Sequence, residues 1–288
     1  MMHASAEHQA KTLAELSRKR AMQPLPTAKI LTVCSGKGGV GKTVVAVNLA
    51  LRFAATGLRT LLIDLDPGLA NVDVHMRLTS RYDVDDILEE ACQPEEALLV
   101  ADRGLHVLPG GRASEAERVR LLSIREASGP RRLLEAMSRF LRTIDVVVLD
   151  TGAGLGPWVQ GAIAVADRTL VVTQSDPAAV TDAYGAIKVA HALRPDREAA
   201  LLVNRVANKD EAILTATRLR KVASQFLGFR PEFFGWMHDH AAVVTSVRDQ
   251  LPFALRLDDQ HPTQRELAAI SARLADALEL RTKKRSAP

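Results

Sequence analysis

The chain has 288 residues, of which 47% are hydrophobic and 25% charged, with a formal net charge of +4. That balance fits one large globular domain or two, and it does not by itself point to nucleic acid. Two cysteines, Cys34 and Cys92, with no CxxC and no His/Cys cluster, exclude a disulfide framework and a structural zinc site.

Residues 5–20 have a weak apolar stripe through Leu13 and Leu16, and the prolines of Gln23–Thr27 break any helix there. Residues 1–28 therefore read as an appendage on a linker, and 29–288 as the main domain. The first twenty residues lack an apolar signal core, and no apolar run reaches the ~18 residues of a membrane span, so the expected location is the cytoplasm. "KILTVCS" is a predicted strand, and "TVVAVNLALRFAATG" a predicted helix closed by Gly57. "RTLLIDLD", "LHVLPG", "IDVVVLD", "RTLVVTQS", "AALLVNRV" and "EFFGWM" are further predicted strands, with helices over 177–193 and 209–226. Aliphatic strands alternating with helices predict an α/β fold, a mostly parallel sheet with helices on both faces. Ligands should then bind at the carboxyl ends of the strands. A last helix over 263–281 places Leu267, Ile270, Leu274 and Leu278 at helical spacing before the basic tail "RTKKRSAP". Its acidic Glu266, Asp276 and Glu279 favour packing on the sheet over lying on lipid, while the tail could be drawn to an anionic surface.

"GKGGVGKT" (Gly36–Thr43) satisfies G-x-x-x-x-G-K-[ST] between a predicted strand and a predicted helix, the context that confirms a phosphate-binding loop. Gly36, Gly38, Gly39 and Gly41 let the loop's N–H groups, Val40's included, curl round phosphate oxygens at a helix N-terminus. Lys42 reaches the phosphates and the Thr43 hydroxyl suits Mg²⁺. Lys37 is a second lysine in the same loop. In "IDLDPGLANVD", Asp64 and Asp66 lie two apart, so on an extended chain both face one side, beside the loop. In "IDVVVLDTGAG", an apolar run ends in Asp150, placed to accept hydrogen bonds from metal-bound water and from Thr43. Gly154 lets the backbone approach the terminal phosphate. "LLVNRVAN" ends a strand in Asn204-Arg205, and an asparagine can both donate to and accept from a base edge. "WMHDH" sets His238 and His240 around Asp239 with no third metal ligand in sight, and reads as a polar loop.

Lys37 ahead of Lys42 in "KGGVGKT" resembles the deviant Walker A motif of the MinD/ParA family of dimerising ATPases. The resemblance implies a three-layer P-loop NTPase fold, ATP and Mg²⁺ as cofactors, and a homodimer formed face to face when ATP is bound. It makes Lys37 a signature lysine acting on the partner subunit's nucleotide. It makes Asp66 the residue that orients the attacking water, and Asp64 the support of the Mg²⁺ water shell. It places Asn204, beside Arg205, on the adenine. Thr43 would touch the metal directly, Asp64 and Asp150 through water. Within that family, "DPGLANVDV", "DTGAG", "TDAYGAIKVA" (Thr181–Ala190) and "VRDQLPF" (Val247–Phe253) are similar to FlhG (FleN), the MinD-like ATPases of flagellar number and placement. That similarity implies a slow ATPase switch, with the SRP-type GTPase FlhF and flagellar components as partners and a peripheral membrane position. "HQAKTLA" (His8–Ala14) is the nearest match to the family's D-Q-A-x-x-L-R activating segment and lacks its acid and arginine. The cluster cysteines of iron–sulfur carriers of this fold are missing, as is the tyrosine-rich tail of its kinases, since only Tyr82 and Tyr184 are present. Two rivals stay open: a partitioning or division-site ATPase that binds DNA or membrane, and a nucleotide-binding scaffold with negligible turnover.

Overall fold

Strands flanked by helices on both sides must bury both faces, and the aliphatic runs around the phosphate loop do so. A computed structural model describes residues 28–66, 71–111, 126–197 and 199–280. The "HQAKTLA" segment, the Gln23–Thr27 break and the basic tail lie outside the described residues. In chain order the elements are β1 (Lys29–Cys34), α1 (Lys42–Ala55), β2 (Thr60–Leu65), and the short helices α2 (Val72–His75), α3 (Val84–Leu88) and α4 (Pro94–Ala97). Then come β3 (Leu99–Val100), β4 (His106–Leu108), α5 (Gly129–Ala136), α6 (Ser138–Leu141), β5 (Val146–Thr151), α7 (Pro157–Val165) and β6 (Arg168–Thr173). The last are α8 (Pro177–Leu193), β7 (Ala199–Val206), α9 (Lys209–Leu227), β8 (Glu232–His238), α10 (Ala241–Arg248), α11 (Phe253–Arg256) and α12 (Pro262–Ala277).

The eight strands form one sheet in the order β3-β4-β2-β5-β1-β6-β7-β8. Every pair is parallel except β3 with β4 at the edge. Alternation along each strand sorts side chains to opposite faces. Leu31 and Val33 of β1 pack with Val45, Leu49 and Phe53 of α1 and with Leu267, Ile270 and Leu274 of α12. Ile30, on the other side of the same strand, packs with Leu133 of α5 and Trp158 of α7. Cys34 joins Val159 and Ile163 of α7 and the buried stripe of α8 and α9. This is a three-layer α/β fold, as the alternating pattern predicts.

The predicted last helix is real but shorter, ending at Ala277. Glu279 turns to φ +56°, and the Leu280 N–H bonds back to the Ala275 carbonyl at 2.8 Å, a closure that stops the helix. Leu267, Ile270, Leu274 and Leu278 are all buried, so this stripe belongs to the core. The Val247–Phe253 segment has a structural role as well. Phe253 is fully buried, and the next amide, Ala254 N–H, donates to Asn48 Oδ1 of α1 at 2.8 Å. From α12, Gln264 Nε2 donates to the carbonyls of Phe253, Ala254 and Leu257. The helix that opens at the phosphate loop is thereby tied to the C-terminal part of the chain.

Candidate nucleotide site

β1 lies between β5 and β6, and the loop from its carboxyl end, Ser35–Gly41, opens α1 at Lys42. Gly39 and Gly41 take φ of +78° and +91°, left-handed conformations that a side chain would strain. Gly36 and Gly41 are also required by close approach. A Cβ on Gly36 would stand 2.3 Å from the Asp182 carbonyl oxygen, and one on Gly41 would stand 2.5 Å from Asn204 Nδ2. Gly38 and Gly39 form the exposed lip, while Val40 is buried beneath it. Ser35 Oγ donates to the Lys37 carbonyl at 2.6 Å. From neighbouring strands, the Gly154 amide donates to the Ser35 carbonyl at 3.2 Å and Asn204 Nδ2 donates to the Val40 carbonyl at 2.8 Å. The loop is thus braced by both of the glycine and asparagine segments singled out in the sequence.

The loop's two lysines lie in different surroundings. Lys42 is buried, 8% exposed, close enough to Asp150 for its charge to act on that carboxylate. Lys37 has its side chain 40% exposed and its ammonium 2.9 Å from Asp176 Oδ1. Asp176 also caps α8 by accepting the Ala179 amide at 3.0 Å. That amide and the Lys37 ammonium hold its carboxyl below the usual range. Sequence reading missed Asp176. Asp-Pro before an apolar helix does signal an N-cap, but nothing local ties it to a lysine 139 residues earlier.

Asp64 and Asp150 are direct neighbours in the β2–β5 register, and each is 1% exposed. Asp64 is already engaged: its carboxylate accepts the amides of Asp66 at 2.9 Å, Asn71 at 2.9 Å and Val72 at 3.1 Å. It therefore shapes the turn that carries Asp66, a role the sequence did not reveal. Burial nevertheless outweighs those amides and pushes its carboxyl up to about 7. Neither oxygen of Asp150 has a hydrogen-bond partner at good geometry. Burial and the Asp64 charge raise its carboxyl well above the usual range, opposed by Thr43 and Lys42. Two buried carboxylates side by side, one without partners, fit a divalent cation beside the Thr43 hydroxyl. Asp66 stands half-buried at the end of β2.

A cavity of about 330 Å³ opens beside the loop, lined in part by Gly41, Val45, Asn204, Arg205, Met237 and Val244. Its size and mixed apolar and polar lining suit a purine base. Asn204 has spent one amide hydrogen on the loop, which leaves its oxygen and second hydrogen for a base edge. Arg205 takes φ +55° and forks onto Asp239 at 3.2 and 3.4 Å. The predicted polar loop "WMHDH" is instead the end of β8 and the start of α10. His238 pairs with Glu266, Asp239 with Arg205, and His240 caps α10.

Comparison with known proteins agrees with this geometry. Residues 31–253 match the family described as CobQ/CobB/MinD/ParA nucleotide binding domain. The chain is 33% identical over 231 residues to "Antiactivator FleN" of Pseudomonas aeruginosa, covering 80% of this chain and 81% of that one. It is 34% identical over 229 residues to "Flagellum site-determining protein YlxH" of Helicobacter pylori, covering 77% and 74%. Among solved structures, the MinD cell division protein of Aquifex aeolicus superposes with a TM-score of 0.68 at 25% identity, covering 86% of this chain and 97% of that one. MinD of Pyrococcus horikoshii, solved with Mg-ADP, shares the fold with a TM-score of 0.70 at 18% identity, covering 86% and 96%. The chain therefore belongs to the MinD/ParA family of P-loop ATPases, with the antiactivator FleN and the flagellum site-determining protein YlxH among its relatives.

Proposed function

We propose that this chain is a slow, Mg²⁺-dependent ATPase that dimerises on binding ATP, and that the switch controls flagellar number or placement. The observation that carries the enzymatic part is the division between the two loop lysines. Lys42 is committed inside its own site, and Lys37 is held half-exposed at the rim, where a second subunit's nucleotide could receive it. Thr43, Asp64 and Asp150 would hold Mg²⁺, the aspartates through water. When bound, the ion would neutralise phosphate charge. Gly36–Thr43 would bind the phosphates, Asn204 and Arg205 the base, and Gly154 would sense the terminal phosphate. Asp66 would orient the attacking water. Homodimerisation in the ATP state would create the surface for FlhF, for flagellar components or for a peripheral membrane position. The similarity to YlxH, a flagellum site-determining protein, supports the flagellar reading. Among the described residues no helix is long and apolar enough to cross a membrane.

Asp66→Ala tests the switch. The variant should form a dimer with ATP and Mg²⁺ in sedimentation velocity, with phosphate release at least ~100-fold below the parent. A variant that stays monomeric with ATP, or turns over normally, sinks the role given to Asp66. In the cell, deleting the gene should change the number or position of flagella counted by electron microscopy. Unchanged flagella would overturn the process assignment and leave the ATPase reading standing.

A further inference from the structure

A second cavity of about 330 Å³ lies toward the far end of α1, about 15 Å beyond Lys42 by the rise of an α-helix. It shares no lining residue with the cavity beside the phosphate loop. Leu51 and Ala55 of α1, with Ala254 and Leu257 at α11, form its apolar wall. Gln264, in the first turn of α12, lines the same cavity and is only 3% exposed. Its Nε2 donates to the carbonyls of Phe253 at 3.2 Å, Ala254 at 3.2 Å and Leu257 at 3.0 Å. Its Oε1 is buried and has no partner. Turning the amide over would set that oxygen against three carbonyls, so its orientation is fixed. The oxygen is then the polar atom that Gln264 leaves for the cavity, and a buried acceptor calls for a donor.

Four charged side chains complete the lining. Arg52 Nη1 meets Asp259 Oδ1 at 3.2 Å, a pair that solvent screens because Asp259 is 81% exposed. Asp258 spends Oδ1 on the amides of Gln260 and His261, which leaves its second oxygen. Arg103 is exposed and, among the described residues, has neither an ion pair nor a hydrogen bond for its guanidinium. Two guanidiniums and two carboxylates give the lining no net charge. A phosphate there would face both carboxylates, and a bare amine both guanidiniums. A ligand that carries both signs meets all four groups favourably. We propose that this cavity is a second binding site, for a free α-amino acid with an apolar side chain. The ligand's carboxylate takes the guanidinium of Arg103, whose paired N–H groups match a planar carboxylate. Its ammonium donates to Gln264 Oε1 and to the second oxygen of Asp258, and so supplies the donor that Gln264 lacks. Its side chain lies against Leu51, Ala55, Ala254 and Leu257. The proposal stands apart from the nucleotide reading, because the two cavities have no residue in common.

Calorimetry of the full chain tests this with leucine, methionine and phenylalanine as probes. Two leucine analogues are run beside them: isocaproate, which keeps the carboxylate without the ammonium, and isoamylamine, which keeps the ammonium without the carboxylate. Inorganic phosphate is the anion control. Leucine should bind, and each analogue should bind at least ~10-fold more weakly, since each loses a charge-assisted contact. Arg103→Ala, a change to an exposed and unpaired side chain, should weaken leucine by at least ~10-fold as well. No binding of any of the three amino acids at about 10 mM overturns the proposal. Isocaproate or isoamylamine within about threefold of leucine overturns it too, because one of the two charges is then not read. Phosphate that binds more tightly than leucine, and through Arg103, would make this an anion site instead. Hydrogen exchange of the parent fixes the location even if the variant does not fold. Leucine should slow exchange around Arg103 and over 258–265, and protection confined to other segments places the ligand elsewhere and refutes the site.

Discussion

Replacing Lys37 by alanine is expected to lower ATP turnover by about a thousandfold while nucleotide still binds, the scale seen when a charge supplied to a phosphoryl-transfer site is removed. Lys37 stands at the rim with only Asp176 to hold it. With both side chains about two-fifths exposed, at 40% and 39%, that ion pair is screened by solvent and worth at most about 1 kcal/mol. Exchanging Asp176 for the phosphates of a second subunit is therefore inexpensive. Buried Lys42, by contrast, lies where its charge offsets part of the buried charge of Asp150. Two arrangements give the same single-variant result, since a lysine serving its own nucleotide would also be missed. Mixing separates them. Lys37→Ala subunits combined with Asp66→Ala subunits form one complete site per mixed dimer only if Lys37 acts across the interface. An equal mixture should then recover about a quarter of the parent rate, because half the symmetric dimers are mixed and each has one complete site. No recovery on mixing, or a Lys37→Ala protein that hydrolyses within about threefold of the parent, refutes the action in trans.

What sequence showed and what it hid divide along a physical line. The strands around the loop were legible because burial on both faces leaves continuous aliphatic runs, as in Val146–Leu149. The loop was legible because its backbone geometry admits only glycine at Gly36, Gly39 and Gly41. Contacts that join distant segments left no such trace. The Lys37–Asp176 pair spans 139 residues and the Asn48–Ala254 contact spans 206. The two-residue edge strand β3 is too short to show a period. The spacing of Asp64 and Asp66 is plain in the sequence, but the three backbone hydrogen bonds of Asp64 depend on how the chain turns back at Asn71 and Val72. "VRDQLPF" was read as a mark of kinship, yet Phe253 and the following amide lock the segment to α1.

The second large effect concerns charge, and its sign is opposite for stability and for activity. Asp150→Asn should raise the stability of the metal-free protein at pH 8 and abolish Mg²⁺-dependent turnover. In the folded parent, burial raises the carboxyls of Asp64 and Asp150 far above those of an unfolded chain, Asp64 to about 7. An acid with a raised folded value contributes stability that is present at low pH and lost as pH climbs from the ordinary carboxylate value toward the folded one. In chelator, the pair should therefore cost stability as pH rises from about 4 through about 7, where the Asp64 carboxyl is held, on the order of a few kcal/mol at about 1.4 kcal/mol per unit. In a protein of this size that corresponds to a fall in Tm of roughly 5–10 °C. Asparagine keeps the shape, removes the ionisable group without partners and relieves the repulsion on Asp64. Its Tm curve should lie above the parent's at pH 8 and converge with it near pH 5. Mg²⁺ added to ATP should stabilise the parent more at pH 8 than at pH 6, because the ion binds the charged pair, and should add little to what ATP alone gives the variant. Parallel Tm curves for the two proteins across that range would show that the buried pair is not the source of the cost. A variant that kept Mg²⁺-dependent hydrolysis would remove Asp150 from the metal site.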